Sequence, residues 1–174
     1  MRKVGIDYSL SCPAICIRDD GKFALHYLID KKKWLGKFPT GDERFTIEGH
    51  AQKYYVNSED RFDNISNWVM SLLKPTDEIN IEGYAFAAAG LVFQIAENCG
   101  MLKHKLFKNG NTYHITPPSA AKKAATGKGN ANKDLMCAAF VEQTGFDIFA
   151  AMNTVRNNSP INDMVDAYFL ANLI

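Results

Sequence analysis

An apolar run near the amino terminus, Lys3-Val4-Gly5-Ile6-Asp7-Tyr8-Ser9, enters a carboxylate and then polar residues. A strand of that pattern delivers its acid to the rim of a sheet, where solvent and substrate reach it. Leu10 to Ile17 reads as a second strand after a tight reversal, and Asp19-Asp20-Gly21-Lys22 carries turn chemistry. Phe23 to Ile29 reads as a third strand, so the chain opens with a meander that leaves one side of the first strand unpaired.

That free side finds a partner further along. Phe62, Ile65, Val69, Leu72 and Leu73 recur at helical spacing over residues 60–73, and Pro75 ends the helix. The run Ile79-Asn80-Ile81 follows and closes on Glu82. A helix leading into an apolar strand makes a crossover, so this strand is expected to lie parallel to the first. Asp7 and Glu82 then share one edge of the sheet, the edge at which open α/β sheets bind ligands.

The remaining elements flank that sheet. A long helix spans residues 87–108, with Ala88, Ala89 and Gly90 on a small-residue face and Gly110 stopping it. Residues 112–116 form a short strand, and Pro117-Pro118-Ser119 starts a short helix over 120–125. Asn132 caps a helix running to about Thr144, and Ser159-Pro160 opens a final one that lasts to the end of the chain. The fold class is α/β, a mixed five-stranded sheet flanked by helices, and the 174 residues are expected to form a single domain. Residues 45–56 alternate weakly and fit an extra hairpin or an extended arm, and residues 30–57 carry no assigned chemistry.

Two more acids, Asp163 and Asp166, stand three apart at the start of the last helix and so project from one face. Such a pair also serves, more plainly, as surface acids that favour a helix N-terminus. Their joint placement with Asp7 and Glu82 points to a metal site. Oxygen-only ligands suit magnesium, with manganese as a substitute, rather than zinc. In phosphodiester hydrolysis two such ions sit about 3.5–4 Å apart and serve the attacking and leaving oxygens.

Charge distribution adds to this. The net charge is only +1, yet residues 98–133 hold no acid while carrying Lys103, Lys105, Lys108, Lys122, Lys123, Lys128 and Lys133. About one fifth of a near-neutral chain can therefore present a cationic face suited to nucleic acid. The four cysteines form no Cys-x-x-Cys pair and read as buried free thiols of a reducing compartment. No apolar run is long enough to span a bilayer, so a cytoplasmic protein without a membrane partner is expected.

The stretch from Pro117 to Leu135, P-P-S-A-A-K-K-A-A-T-G-K-G-N-A-N-K-D-L, resembles the signature segment of RuvC-type Holliday junction resolvases. Lys122-Lys123, the Thr126-Gly127-x-Gly129 loop and Ala131-Asn132-Lys133 match in order and spacing. The resemblance extends to Gly5-Ile6-Asp7, Ile81-Glu82 and Asp163-x-x-Asp166-Ala167. It implies a ribonuclease-H-like fold, a homodimer and magnesium-dependent nicking of four-way DNA junctions in recombination or repair. It further implies that Asp7, Glu82, Asp163 and Asp166 hold the metals. Lys122, Lys123, Lys128, Lys133 and the backbone of Gly127, Gly129 and Asn130 would hold DNA, with Lys133 also counted as catalytic. Tyr84 and Phe86 stand where an aromatic residue stacks on opened bases, and the long helix stands where the family dimerises. The first acid is followed by Tyr8-Ser9 instead of the family's usual Pro-Gly, and residues 30–57 exceed the compact bacterial pattern. Both departures are those of a divergent, phage-type member, which would act in the host cytoplasm. A broader branched-DNA or flap nuclease, an RNA–DNA hybrid ribonuclease and a non-catalytic junction binder are the competing expectations.

Overall fold

A computed structural model describes residues 1–84 and 91–174. The expected long helix begins inside the remaining stretch, so Phe86, Ala88, Ala89 and Gly90 lie outside the described residues.

The first three strands, β1 (Lys3–Asp7), β2 (Ala14–Asp19) and β3 (Lys22–Ile29), form the expected antiparallel meander. Helix α1 (Ser58–Leu72) starts where the Asn57 side chain accepts a hydrogen bond from the Asp60 amide, and it crosses to β6 (Glu78–Glu82). Strand β6 lies parallel to β1 in the register Val4↔Ile79 and Ile6↔Ile81. Next come α2 (Val92–Lys108), β7 (Tyr113–Thr116) parallel to β6, and α3 (Pro118–Thr126). Helix α4 (Lys133–Thr144) is capped by Asn132 as anticipated, because its side chain accepts from the Leu135 amide at 2.9 Å.

Among the described residues the sheet has seven strands, not five. Residues 30–57 supply the extra two, β4 (Gly36–Phe38) and β5 (Phe45–Ala51). Strand β5 runs parallel to β3, and β4 closes antiparallel on it, giving the order β4-β5-β3-β2-β1-β6-β7. The annex forms because its apolar side chains have somewhere to go. Phe45 stacks on Phe23 at 5.1 Å and on Phe146 at 4.3 Å, and Trp34 is buried beneath. A short helix not foreseen, α5 (Ile148–Ala151), follows Phe146.

The two faces of the sheet carry different cores. Val4, Ile6, Ile15, Leu28, Ile79 and Ile81 pack under α1 and α2. Cys16, Leu25, Tyr27, Phe45 and Ile47 pack under α4, α5 and α6 (Ile161–Ala171). Residues alternate between the faces along each strand, so Gly5, Asp7, Asn80 and Glu82 point to the α6 side. All four cysteines are free and buried, as expected. Among the described residues, no helix is long and apolar enough to cross a membrane.

Candidate active site

Two contacts seat α6 on the sheet. Gly5 has no side chain, and a Cβ there would collide with the Ala167 carbonyl oxygen and the Ala171 nitrogen. Glycine thus lets the helix backbone rest directly on β1. Beside it the buried Asn80 amide donates to the Leu170 carbonyl at 2.9 Å and its oxygen accepts from the Thr116 hydroxyl at 2.8 Å. One side chain therefore ties β6, β7 and α6 together.

With α6 so placed, its first two turns lie over the ends of β1 and β6. Pro160 caps it and Ile161 is its first residue; Ser159 does not cap the backbone, and its hydroxyl serves the Asp163 carboxylate instead. Asp163 is buried in the first turn, and Asp166 follows one turn later. Asp7 is buried to 9% exposure at the end of β1, and it and Glu82 each follow directly on the last register pair, Ile6↔Ile81. All four expected acids come together: the charges of Glu82, Asp163 and Asp166 each act on Asp7, and those of Asp163 and Asp166 act on Glu82.

The electrostatics are those of a crowded anionic cluster. Burial first, and then the three neighbouring carboxylates, raise the Asp7 pKa well above its ordinary value. Glu82 is pushed up to about 7 by burial, then by Asp166, with Lys122 opposing. Asp166 is pushed up to about 6 by burial and then Asp163, with Lys122 and Lys133 opposing. Burial also raises Asp163, against hydrogen bonds from Ser159 and Cys12 and the Lys133 charge. Among the described residues, the buried Asp163 Oδ2 finds no hydrogen-bond partner. Carboxylates gathered in this way, one with an orphaned oxygen, fit a hard divalent cation, whose charge would relieve the repulsion.

The structure divides the signature segment. Lys122, half-buried on α3, and Lys133, the first residue of α4, both face the acids. Lys123, Lys128 and Asn130 are exposed at the surface. Gly127 ends α3 with a φ of 77° and donates to the Lys123 carbonyl at 2.8 Å. At Gly129 the backbone comes close to Ser119, whose carbonyl oxygen would stand 3.2 Å from an added Cβ. The Thr126 hydroxyl accepts from the Lys128 amide at 3.2 Å and donates to the Lys122 carbonyl at 2.8 Å, bracing the loop between the two lysines.

An open cleft of about 320 Å³ adjoins the acids. Asp7, Glu82, Tyr84, Leu91, Ile95 and Pro118 are among its lining residues. Tyr84 is half-buried, and Lys103 of α2 lies 5.7 Å from its ring centroid. Sequence reading missed Tyr8, Ser9 and Ser11, which also line this cleft. Their position straight after the β1 acid was the available signal.

No protein-family model matches the sequence, and no curated protein matches it significantly. Solved structures do. The chain is similar to Thermus thermophilus RuvC, with a TM-score of 0.57 and 14% identity over 99% of this chain and 96% of that one. It is equally similar to T. thermophilus RuvC in complex with a Holliday junction substrate, with a TM-score of 0.57 and 12% identity over 98% of this chain and 90% of that one. Agreement over nearly the whole length of both chains shows that this protein has a RuvC-like fold of the ribonuclease-H-like type.

Proposed function

We propose that the protein is a structure-specific DNA endonuclease, crossover-junction type, that resolves four-way junctions by metal-dependent phosphodiester hydrolysis with paired symmetrical nicks. The observation that carries the reading is the convergence of four buried or half-buried carboxylates, faced by two lysines, at one edge of a RuvC-like fold. A pure DNA binder has no use for anions beside phosphates.

Asp7, Glu82, Asp163 and Asp166 would hold magnesium, or manganese in its place. The bound ions would supply Lewis-acid charge and a water acidic enough to attack at neutral pH. Lys133 and Lys122 would bind the phosphate flanking the cut. The amides of the 127–130 loop would hold the next phosphate along. Tyr84, at the cleft wall, offers a ring on which an unstacked base can rest. Leu91, Phe93 and Phe107 expose apolar surface at 53%, 80% and 75% along α2, which supports a homodimer formed through that helix. Two acid clusters in one dimer would account for the pairing of the nicks.

The test is a substrate panel of four-way, three-way, flap, linear duplex and RNA–DNA hybrid molecules, each with magnesium and with manganese. Paired nicks near the crossover of the four-way junction, at least about tenfold faster than on any other substrate, are expected. Preference for flaps or hybrids would replace the substrate while keeping the chemistry. Asp7→Asn is expected to lower cutting about a thousandfold, the scale of several kcal/mol from a catalytic metal, with junction binding retained. Undiminished cutting by that variant would end the proposal.

A further inference from the structure

On the other face of the sheet, two to three strands from β1, lies a second polar cluster. His26 of β3 sits directly opposite Glu48 of β5 in the parallel register, and His50 sits opposite Leu28. Because His26, Glu48 and His50 are separated by even steps, all three side chains leave the sheet on the α1 side. One ligand atom from each lies within 4.8 Å of the other two, and all three residues are half-buried.

We propose that His26, Glu48 and His50 form a zinc site that fastens the β4–β5 annex to the body of the sheet. The Nδ1 of His26 and the Nε2 of His50 are 3.2 Å apart. Two nitrogens bound to one tetrahedral zinc at about 2.0–2.1 Å would be separated by roughly 3.3 Å, so the rings already stand at ligating distance. A shared imidazole hydrogen bond spans the same gap but does not engage Glu48, whose charge acts on both rings. Two imidazoles and one carboxylate suit zinc and disfavour magnesium. Trp68 of α1 flanks the His50 ring at 5.7 Å and limits its swing. The fourth corner is left to water. At about 4.8 Å per strand the cluster lies roughly 10–15 Å from β1, and the sheet itself separates it from the acids. Zinc here would not enter the cutting reaction. It would tie β5 directly to β3, with residues 26 and 50 bracketing β4 and most of β5.

The experiment is a zinc titration of the chelator-stripped protein against a chromophoric chelator, with Co2+ absorption as the geometric probe. One Zn2+ per chain, a tetrahedral Co2+ spectrum and a melting temperature raised by about 5–10 °C at a hundredfold excess over Kd are expected. Asp7→Asn should keep that zinc, whereas His50→Ala should lose it and Glu48→Gln should weaken it at least tenfold. Should His50→Ala fold poorly, His26→Gln and the 15N shifts of both rings in the native chain give the same answer. No zinc bound, or one zinc that survives His50→Ala and departs with Asp7→Asn, would overturn the site. Magnesium-dependent cutting should continue in Glu48→Gln, so failure of this site and failure of the nuclease reading are separate results.

Discussion

On the α6 face four carboxylates share one edge of the sheet; on the α1 face two imidazoles and a carboxylate share the middle of β3 and β5. The first cluster repels itself. Each of its acids is raised in pKa, and among the described residues Asp163 Oδ2 finds no hydrogen-bond partner. The second is at ease, because neutral rings bond to one another at 3.2 Å. Gly5 and Asn80 hold α6 on the sheet and so keep the first cluster together. Under the proposed function, such a cluster would need its cation to arrive with or before the substrate. A relaxed cluster can wait for a metal or do without one.

The largest test of this contrast is steric. Gly5 and Gly49 are both points of close backbone approach, one beneath α6 and the other beneath Trp34 of the annex. A Cβ at Gly49 would meet the Trp34 carbonyl oxygen and the Tyr27 ring, the latter at 2.7 Å. Gly5→Ala is expected to destabilise by about 3–5 kcal/mol and to abolish cutting, since lifting α6 carries Asp163 and Asp166 away from Asp7. Gly49→Ala, whose Cβ would likewise collide with a backbone oxygen, that of Trp34, should cost a comparable ~3–5 kcal/mol while leaving the rate on four-way junctions within about threefold. Denaturant melts paired with single-turnover cutting check both. Equal loss of activity in the two variants would mean that the annex helps to shape the active site.

Next in size is an opposition in pH dependence. A carboxyl whose folded pKa lies above its unfolded value keeps its proton on folding, so the stability it contributes is present at low pH and is lost as pH rises through the folded value. Glu82 moves from 4.5 to about 7 and Asp166 from 3.8 to about 6. The acid cluster therefore loses stability between about pH 4 and 7. His26 goes the other way: burial, with help from His50, lowers it from 6.5 to about 4. Its contribution is present above pH 6.5 and is lost as pH falls toward 4. In metal-free protein the two trends offset one another. Glu82→Gln should expose the histidine trend and add about 1–3 kcal/mol at pH 8. Saturating magnesium should flatten the acid trend in the native chain. Chemical denaturation from pH 4 to 8 with chelator or Mg2+ reads both, and a Glu82→Gln profile equal to the native one would deny the repulsion.

These two regions were unequally legible in the sequence. Asp7 and Glu82 end apolar runs, a helix between the runs forces the strands parallel, and Asp163 and Asp166 share a helix face; each fact is local. Their meeting then follows from topology. That Gly5 receives a helix backbone is not local, because it needs α6 already in place. The annex showed only as an unplaced hairpin or arm for the same reason. Residues 45–51 alternate weakly, and what makes them a strand is Phe45 stacking on Phe23 and Phe146, partners 22 and 101 positions away. Glu48-x-His50 marks one strand face in the sequence, but His26 joins them only through the β3–β5 register.

The finest distinction lies among the lysines. Lys133 is held at the first turn of α4, where the Asn132 cap fixes the helix start, and its charge acts on Asp7, Asp163 and Asp166. Lys37 of β4 sits opposite Glu48 on the annex and is exposed. Both are cations beside a carboxylate, yet only one adjoins the edge where a scissile phosphate would lie. Lys133→Ala should slow cutting about tenfold, or roughly 1.4 kcal/mol, and should lower the slope of log affinity against log salt by about 0.9, one released counterion. Lys37→Ala should change neither by more than the error of measurement. Lys123→Ala, exposed on α3 and outside the acid cluster, should alter the salt slope and leave the rate alone. If Lys133→Ala instead shifts the slope with no change in rate, its place beside Asp7 serves DNA affinity only, and the half-buried Lys122 becomes the cation nearest the cut.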